Sequence, residues 1–314
     1  MSRLSLYLLG APRIECDGEP IQVDTRKAIA LLAYLAVTRE RHRRDALVNL
    51  LWPESDRSHG RAALRRTLSA LRGALAGECL ETDRETVALN PDAEIWLDVD
   101  LFHHHLNECR THGHPAAEVC PACLVSLEAA VSLHRGDFLT GFGLRDSLNF
   151  DDWQFFQTEA LRREQVDALR RLVQGLCARG DLEPAIGYAR QWLDLDRLDE
   201  DAHGQLMLLY DWSGRRAAAL RQYQECARIL ESSLNVSPQD SLTELYQAIV
   251  EGRAPPPPIR QAQATLPVVQ AILERVPHTP VGAKHVVTVL VADAGTSLSR
   301  MCLAARFMFM VASQ

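Results

Sequence analysis

RAALRRTLSALRGAL, residues 61–75, places Leu64, Leu68, Leu71 and Leu75 at i, i+4, i+7 and i+11. That spacing is one buried stripe along an α-helix. Arg61, Arg65, Arg66 and Arg72 fall on its flanks and opposite face, together with His59 and Ser69. Ala62, Ala63 and Ala70 are small enough to let this helix approach another surface closely. An arginine-rich helix taken alone is most often a solvated face. Here no Asp or Glu lies between Gly60 and Gly77 to neutralise it.

The flanking sequence supplies the context. Downstream, Cys79–Thr82 and Thr86–Leu89 read as two strands around the turn Asp83-Arg84-Glu85. Upstream, Leu4, Leu6 and Leu8 alternate with polar or small residues, which is strand periodicity. Asp17-Gly18 is a hairpin signal between Arg13–Glu15 and Ile21–Val23, so two or three short strands open the chain. Thr25 is placed to cap an apolar helix through Ala28, Leu31, Leu32, Leu35 and Ala36. A second helix follows the basic run Arg41-His42-Arg43-Arg44, passes through Leu47, Leu50 and Leu51, and ends at Pro53. The third runs from near Ser58 to about Leu75, with Gly77 just beyond.

Strands, three helices and a hairpin follow in the order of a winged helix-turn-helix. In that fold the third helix enters the major groove of double-stranded DNA and the hairpin touches its backbone. Arg61, Arg65 and Arg66 are therefore expected to face DNA, with Arg72 near the backbone and His59 and Ser69 on the same surface. Lys27, Arg43, Arg44 and the wing residue Arg84 are expected at phosphates. Charge agrees: residues 1–77 carry 13 Lys+Arg against 8 Asp+Glu, whereas the remainder carries 21 against 33. A basic head on an acidic body is the electrostatic pattern of a polyanion binder.

The composition of the 314 residues, 47% hydrophobic and 24% charged, excludes a wholly disordered, collagen-like or disulfide-miniprotein chain. The apolar run Met301–Ala312 is 12 residues long and contains Arg306, too short and too charged to span a bilayer. Residues 1–10 alternate like a strand and carry no clean cleavage site, so no signal peptide and a cytoplasmic location are expected. The eight cysteines are then expected to be free or metal-bound.

Two pairs of those residues have metal-ligand spacing: Cys109-x2-His112 and Cys120-x2-Cys123, seven residues apart. A structural zinc held by Cys109, His112, Cys120 and Cys123 fits this pattern, and His114 is an alternative to His112. Reduced buried cysteines and a redox pair are the competing readings, and His103, His104 and His105 add background. No general base with an open coordination position is evident, so any zinc would staple this connector of Asp98–Phe150 without doing chemistry. No cofactor is needed for the expected function.

Residues 150–251 read as helical. Gly180 and Gly214 are 34 residues apart, as are Ala185 and Ala219, and Leu193–Asp201 and Ala227–Asn235 fall in matching phase between helices. A 34-residue period is that of tetratricopeptide-like helix pairs. Leu206, Leu209, Tyr210, Ala217, Leu220 and Tyr223 suit their packing, and stacked pairs offer a surface for peptides or partner helices. The fold class is therefore mostly α with a small β component: an N-terminal winged helix-turn-helix followed by a tetratricopeptide-like repeat domain.

Two longer stretches carry a resemblance. LYLLGAPRIECDGEPIQVDTRKAIALLAYLAV, RRDALVNLLWPESD and RAALRRTLSALRGAL resemble the OmpR-type DNA-binding domain of the AfsR/SARP family of bacterial transcriptional regulators, over residues 2–90. Arg26-Lys27, Leu51-Trp52-Pro53 and Ala63-Leu64-Arg65 stand where that family has them. Arg135-Gly136-Asp137-Phe138-Leu139, Gly141-Phe142 and Trp153, followed by the stretch Ala189–Pro238, are similar to the bacterial transcriptional activator domain, over roughly 97–251. Arg197 departs from it, standing where a Pro is usual. The resemblance implies a non-enzymatic activator that reads direct repeats as a homodimer on DNA and contacts RNA polymerase or another protein through its repeats.

The expected organisation is a DNA-binding head at 1–96, the activator domain at 97–253, a Pro-rich linker at 254–280 and a fragment at 281–314. In the fragment, KHVVTVLVADAGTSLS resembles the first strand of a nucleotidyl cyclase domain ending in Asp293, with no further catalytic carboxylate after it. Phosphate-loop, G-x-S-x-G and H-E-x-x-H motifs do not occur, and Lys appears only at 27 and 284. The competing functions are an inactive remnant of a larger regulator-cyclase and a repeat scaffold whose winged head binds protein.

Overall fold

Leu4 and Leu6 point into the core and their neighbours Ser5 and Tyr7 are half-buried, as a strand with one covered face requires. This strand, β1 (Leu4–Tyr7), pairs antiparallel with β2 (Arg13–Cys16), which pairs with β3 (Glu19–Pro20). The computed structural model describes residues 3–23, 25–75, 79–115 and 118–258. The expectations for 259–314, including the linker beyond Pro258, the cyclase-like strand and Asp293, lie outside the described residues.

Helix α1 (Arg26–Thr38) starts at Thr25, whose side chain accepts the Ala28 N–H, and buries the leucines and alanines expected of it. Next, β4 (His42–Arg43) leads into α2 (Arg44–Leu51), and α3 (Arg57–Ala74) begins at Asp56, which accepts the Ser58 and His59 N–H groups. Leu64, Leu68, Leu71 and Leu75 are all buried, as the spacing predicts. Gly60 is where α3 crosses α2: a Cβ there would sit 2.4 Å from Val48 Cγ1. The wing is β5 (Leu80–Thr82) and β6 (Thr86–Leu89), and β4 adds a third strand to it.

The connection onward is a parallel strand, β7 (Ile95–Leu97), laid beside β1 with Leu6 opposite Leu97. The stretch from Asp98, read from sequence as a connector with helical pieces, contains two regular helices, α4 (Asp98–Thr111) and α5 (Pro121–Ser132). The repeats follow: α6 (Leu148–Arg179), α7 (Leu182–Leu195), α8 (Glu200–Trp212), α9 (Arg216–Leu234) and α10 (Asp240–Glu251). Gly180 and Gly214, at the 34-residue spacing, both take positive φ at the end of a helix. The matching phase fails at Ala227–Asn235. Those residues continue α9 to Leu234 instead of forming a loop, and the helix ends at Asn235 in the left-handed conformation.

The activator-domain motif joins the head to the helices. Asp98 is buried, and its carboxylate accepts the Leu8 N–H at 2.8 Å and the Leu9 N–H at 2.9 Å. Burial pushes this carboxyl above its usual range, against the pull of those N–H groups and of Arg135 at 3.6 Å. Arg135, Leu139 and Thr140 donate backbone N–H groups to the carbonyls of Leu9, Leu8 and Gly10. The approach is close: a Cβ on Gly10, at φ +132°, would lie 3.0 Å from Arg135 Cβ. Trp153 packs edge-on to Tyr34 of α1, and Ser147 donates to the Leu51 carbonyl at 2.6 Å. The residues that define the motif are thus largely the seam between head and helices.

Candidate nucleic-acid interface

On α3 the outward residues are Ser58, Ala62, Arg65, Ser69 and Arg72, which recur at i, i+4, i+7, i+11 and i+14 opposite the leucine stripe. Arg65, Ser69 and Arg72 are exposed. Arg61 and Arg66 stand on opposite edges of this stripe. Arg61 and Arg65, with Arg44, Arg57 and Arg84, line a cleft of about 600 Å³ between α3 and the wing turn. Arg66 lines a different cavity, against the start of α1 and the loop at Gly143–Asp146.

The charges differ in how free they are. Asp45 of α2 takes two hydrogen bonds from Arg61, at 2.8 and 3.0 Å, and one from Arg57 at 2.9 Å. Those bonds, Arg61's first, hold the Asp45 carboxyl below its usual range. The missing acid of the α3 stretch is therefore supplied from another helix, and Arg61 is held partly away from the outward face. Arg44 is committed too: its Nε donates to the Asp83 carbonyl at 2.9 Å and its N–H to the Glu85 carbonyl at 2.8 Å, pinning the wing turn. Asp83 closes that turn by accepting from Thr86 and Glu85, which hold its carboxyl down at about 2. Arg43 sits exposed on β4 opposite Thr86. Among the described residues no carboxylate pairs with Arg43, Arg65, Arg66, Arg72 or Arg84.

Two of the expected DNA contacts have partners within the chain. Lys27, expected at a phosphate, is mostly covered. Its Nζ binds Asp146 at 2.7 Å and lies 5.1 Å from the centre of the Trp52 ring, so it ties α1 to the loop before α6. Its neighbour Arg26 does the same work, donating to the Gly143 carbonyl at 3.0 Å. His59 is exposed but turned back onto the capping carboxylate of Asp56.

In the Cys/His segment the ligand set also changes. The donor atoms of His112, His114, Cys120 and Cys123 lie within 4.8 Å of one another. Cys109 is not among them. It is one helical turn inside α4, buried, with its thiol donating to the Cys123 carbonyl at 3.5 Å. His114, the alternative to His112 in the sequence, joins it instead. Cys16, Cys109, Cys120, Cys123, Cys177 and Cys226 form no disulfide.

Residues 97–250 match the bacterial transcriptional activator domain family. The chain is 28% identical over 253 residues to the regulatory protein AfsR of Streptomyces coelicolor, covering 79% of this chain and 24% of that protein. It is 27% identical over 254 residues to the transcriptional regulatory protein EmbR of Mycobacterium tuberculosis, covering 79% of this chain and 63% of EmbR. The solved structure of M. tuberculosis EmbR in complex with a low-affinity phosphopeptide superposes with a TM-score of 0.66 at 25% identity, over 88% of this chain and 72% of that one. The chain is thus similar to the bacterial transcriptional regulators AfsR and EmbR, and it spans less than two thirds of the length of these curated relatives. No described helix is long and apolar enough to cross a membrane.

Proposed function

We propose that this chain regulates transcription by binding double-stranded DNA in a sequence-specific way, with α3 in the major groove and the β5–β6 wing on the neighbouring backbone. The observation that carries the reading is the outward stripe of α3. Arg65 and Arg72 stand there without an acidic partner among the described residues, and Arg65 shares a cleft with the equally unpaired Arg84 of the wing. Arginine suits this because its planar fork can bind guanine or phosphate bidentately. Arg65, at the centre of the stripe, reads a base. Arg43, Arg72 and Arg84 contact phosphates, Arg61 and Arg66 flank the groove, and Ser69 contacts DNA between them. Two protomers occupy a direct repeat, and the helices from α6 onward receive a protein partner such as RNA polymerase.

A gel-shift titration of the full chain on DNA from upstream of its own gene tests this. Arg65→Ala should cost about 1–3 kcal/mol and relax the preference at one base position. Arg84→Ala should weaken all sequences alike and flatten the salt dependence by about one unit of slope. If the full chain shows no salt-dependent binding to any DNA at low salt, the reading fails and the winged head is a protein-binding module. If Arg65→Ala and Arg72→Ala both bind as the parent does, α3 is not the reading element.

A further inference from the structure

The loop between α4 and α5 brings two imidazoles and two thiols to one point, on a segment the DNA reading does not use. His112 Nδ1 lies 3.1 Å from Cys120 Sγ and 3.4 Å from Cys123 Sγ, and His114 Nε2 lies 3.1 Å from Cys123 Sγ. A tetrahedral ion with bonds of about 2.0–2.3 Å has ligand-to-ligand edges of roughly 3.3–3.8 Å, so these side chains need only small shifts to become one shell. The histidine tautomer is already set on one side. His114 Nδ1 lies 3.0 Å from the Pro115 carbonyl, which can only accept, so Nδ1 carries the proton and Nε2 is bare toward the cluster. On the other side the Cys123 N–H donates to Cys120 Sγ at 3.4 Å, as it would to a thiolate.

We propose that His112, His114, Cys120 and Cys123 bind one structural Zn²⁺ that locks the α4–α5 loop onto the helical body. The ligand types choose the metal. Two thiolates and two imidazoles, with no carboxylate among them, suit zinc and not the oxygen-seeking magnesium or calcium. Two thiolates also neutralise the ion, which a part-buried site favours. All four positions come from the protein, leaving none for a reacting water, so the site is structural.

The loop shows what the metal would hold. His112 caps the end of α4 and Cys120 is the N-cap of α5, so the ion joins the two helix ends directly. Val119, inside the chelate, is seated against α6 at Gly175, where a Cβ would lie 2.8 Å from Val119 Cγ1 and 2.7 Å from Leu124 Cδ2. That seat is a close fit to bare backbone, and the metal fixes the loop that fills it.

The test is metal analysis of the full chain purified without chelator, paired with cobalt substitution and thiol alkylation. About one zinc per chain is expected, with cobalt giving the thiolate-to-metal and tetrahedral absorption bands of a two-sulfur, two-nitrogen site. Cys120→Ser and His114→Ala should each abolish stoichiometric zinc, whereas Cys109→Ser should retain it. In the parent protein, which folds without any substitution, EDTA should expose Cys120 and Cys123 to alkylation. The proposal is overturned by less than about 0.2 zinc per chain in the parent with no cobalt spectrum. A Cys120–Cys123 disulfide in freshly purified protein would also overturn it, as would zinc retained in both ligand variants.

Discussion

Asp98→Ala should loosen the seam between the winged head and the helices by about 3 kcal/mol. Asp98 begins α4, yet its carboxylate serves backbone groups about 90 residues earlier: the Leu8 N–H, reached by both oxygens, and the Leu9 N–H. Both leucines are fully buried, so neither N–H can turn to water once the carboxylate is gone. Leaving a buried donor unpaired costs about 1–3 kcal/mol, which for two donors gives about 2–6. Removing the carboxylate also relieves the burial that pushes its pKa up, which offsets part of the loss and brings the expectation to the lower half of that range. Urea denaturation followed by far-UV circular dichroism measures it. Asp98→Asn, which keeps one acceptor oxygen, should fall between the Ala variant and the parent. A loss under about 0.5 kcal/mol for Asp98→Ala would refute the reasoning, because it would mean that water or another acceptor satisfies those two N–H groups.

Other outcomes follow from the same structure. Gly60→Ala should destabilise the head by about 1–2 kcal/mol, the clash with the stiff Val48 side chain outweighing the helix propensity gained, and thermal melting of the full chain checks it. His134 is packed edge-on to Phe102 at 4.6 Å, and burial lowers its pKa to about 4 from 6.5. Since the unfolded chain takes up this proton first, the stability is present above pH 6.5 and is lost as pH falls toward 4. Between pH 6.5 and about pH 5 the loss should be about 1–2 kcal/mol. His134→Phe should lack that part of the slope in urea midpoints measured across the window, and an unchanged slope would exclude His134 as its source. Asp45→Ala frees Arg57 and Arg61 from their shared partner and should tighten DNA binding in a gel shift at low salt, with the gain fading as salt rises.

The legible and the illegible parts of this protein divide by distance along the chain. Local periodicity was enough for the three helices of the head, the wing turn and the leucine stripe of α3, because a side chain's face follows from its position in a helix or strand alone. Two of the helix-ending glycines showed in the 34-residue spacing for the same reason, since each terminates its own helix. Charge partners were not legible. The acid that neutralises Arg61 lies 16 residues earlier on another helix, so a window free of Asp and Glu did not mean free arginines, and the acid that holds Lys27 lies 119 residues later. The ligand set failed in one member on similar grounds. Cys109-x2-His112 has the spacing of a chelating pair in a turn, but α4 continues through Thr111, and the helix turns Cys109 into the core. Arg135-Gly136-Asp137-Phe138-Leu139 was recognisable as a motif without any visible reason. Only the folded chain supplies one, by laying that segment against Leu8, Leu9 and Gly10, where unpaired backbone groups from two distant stretches meet and must satisfy each other.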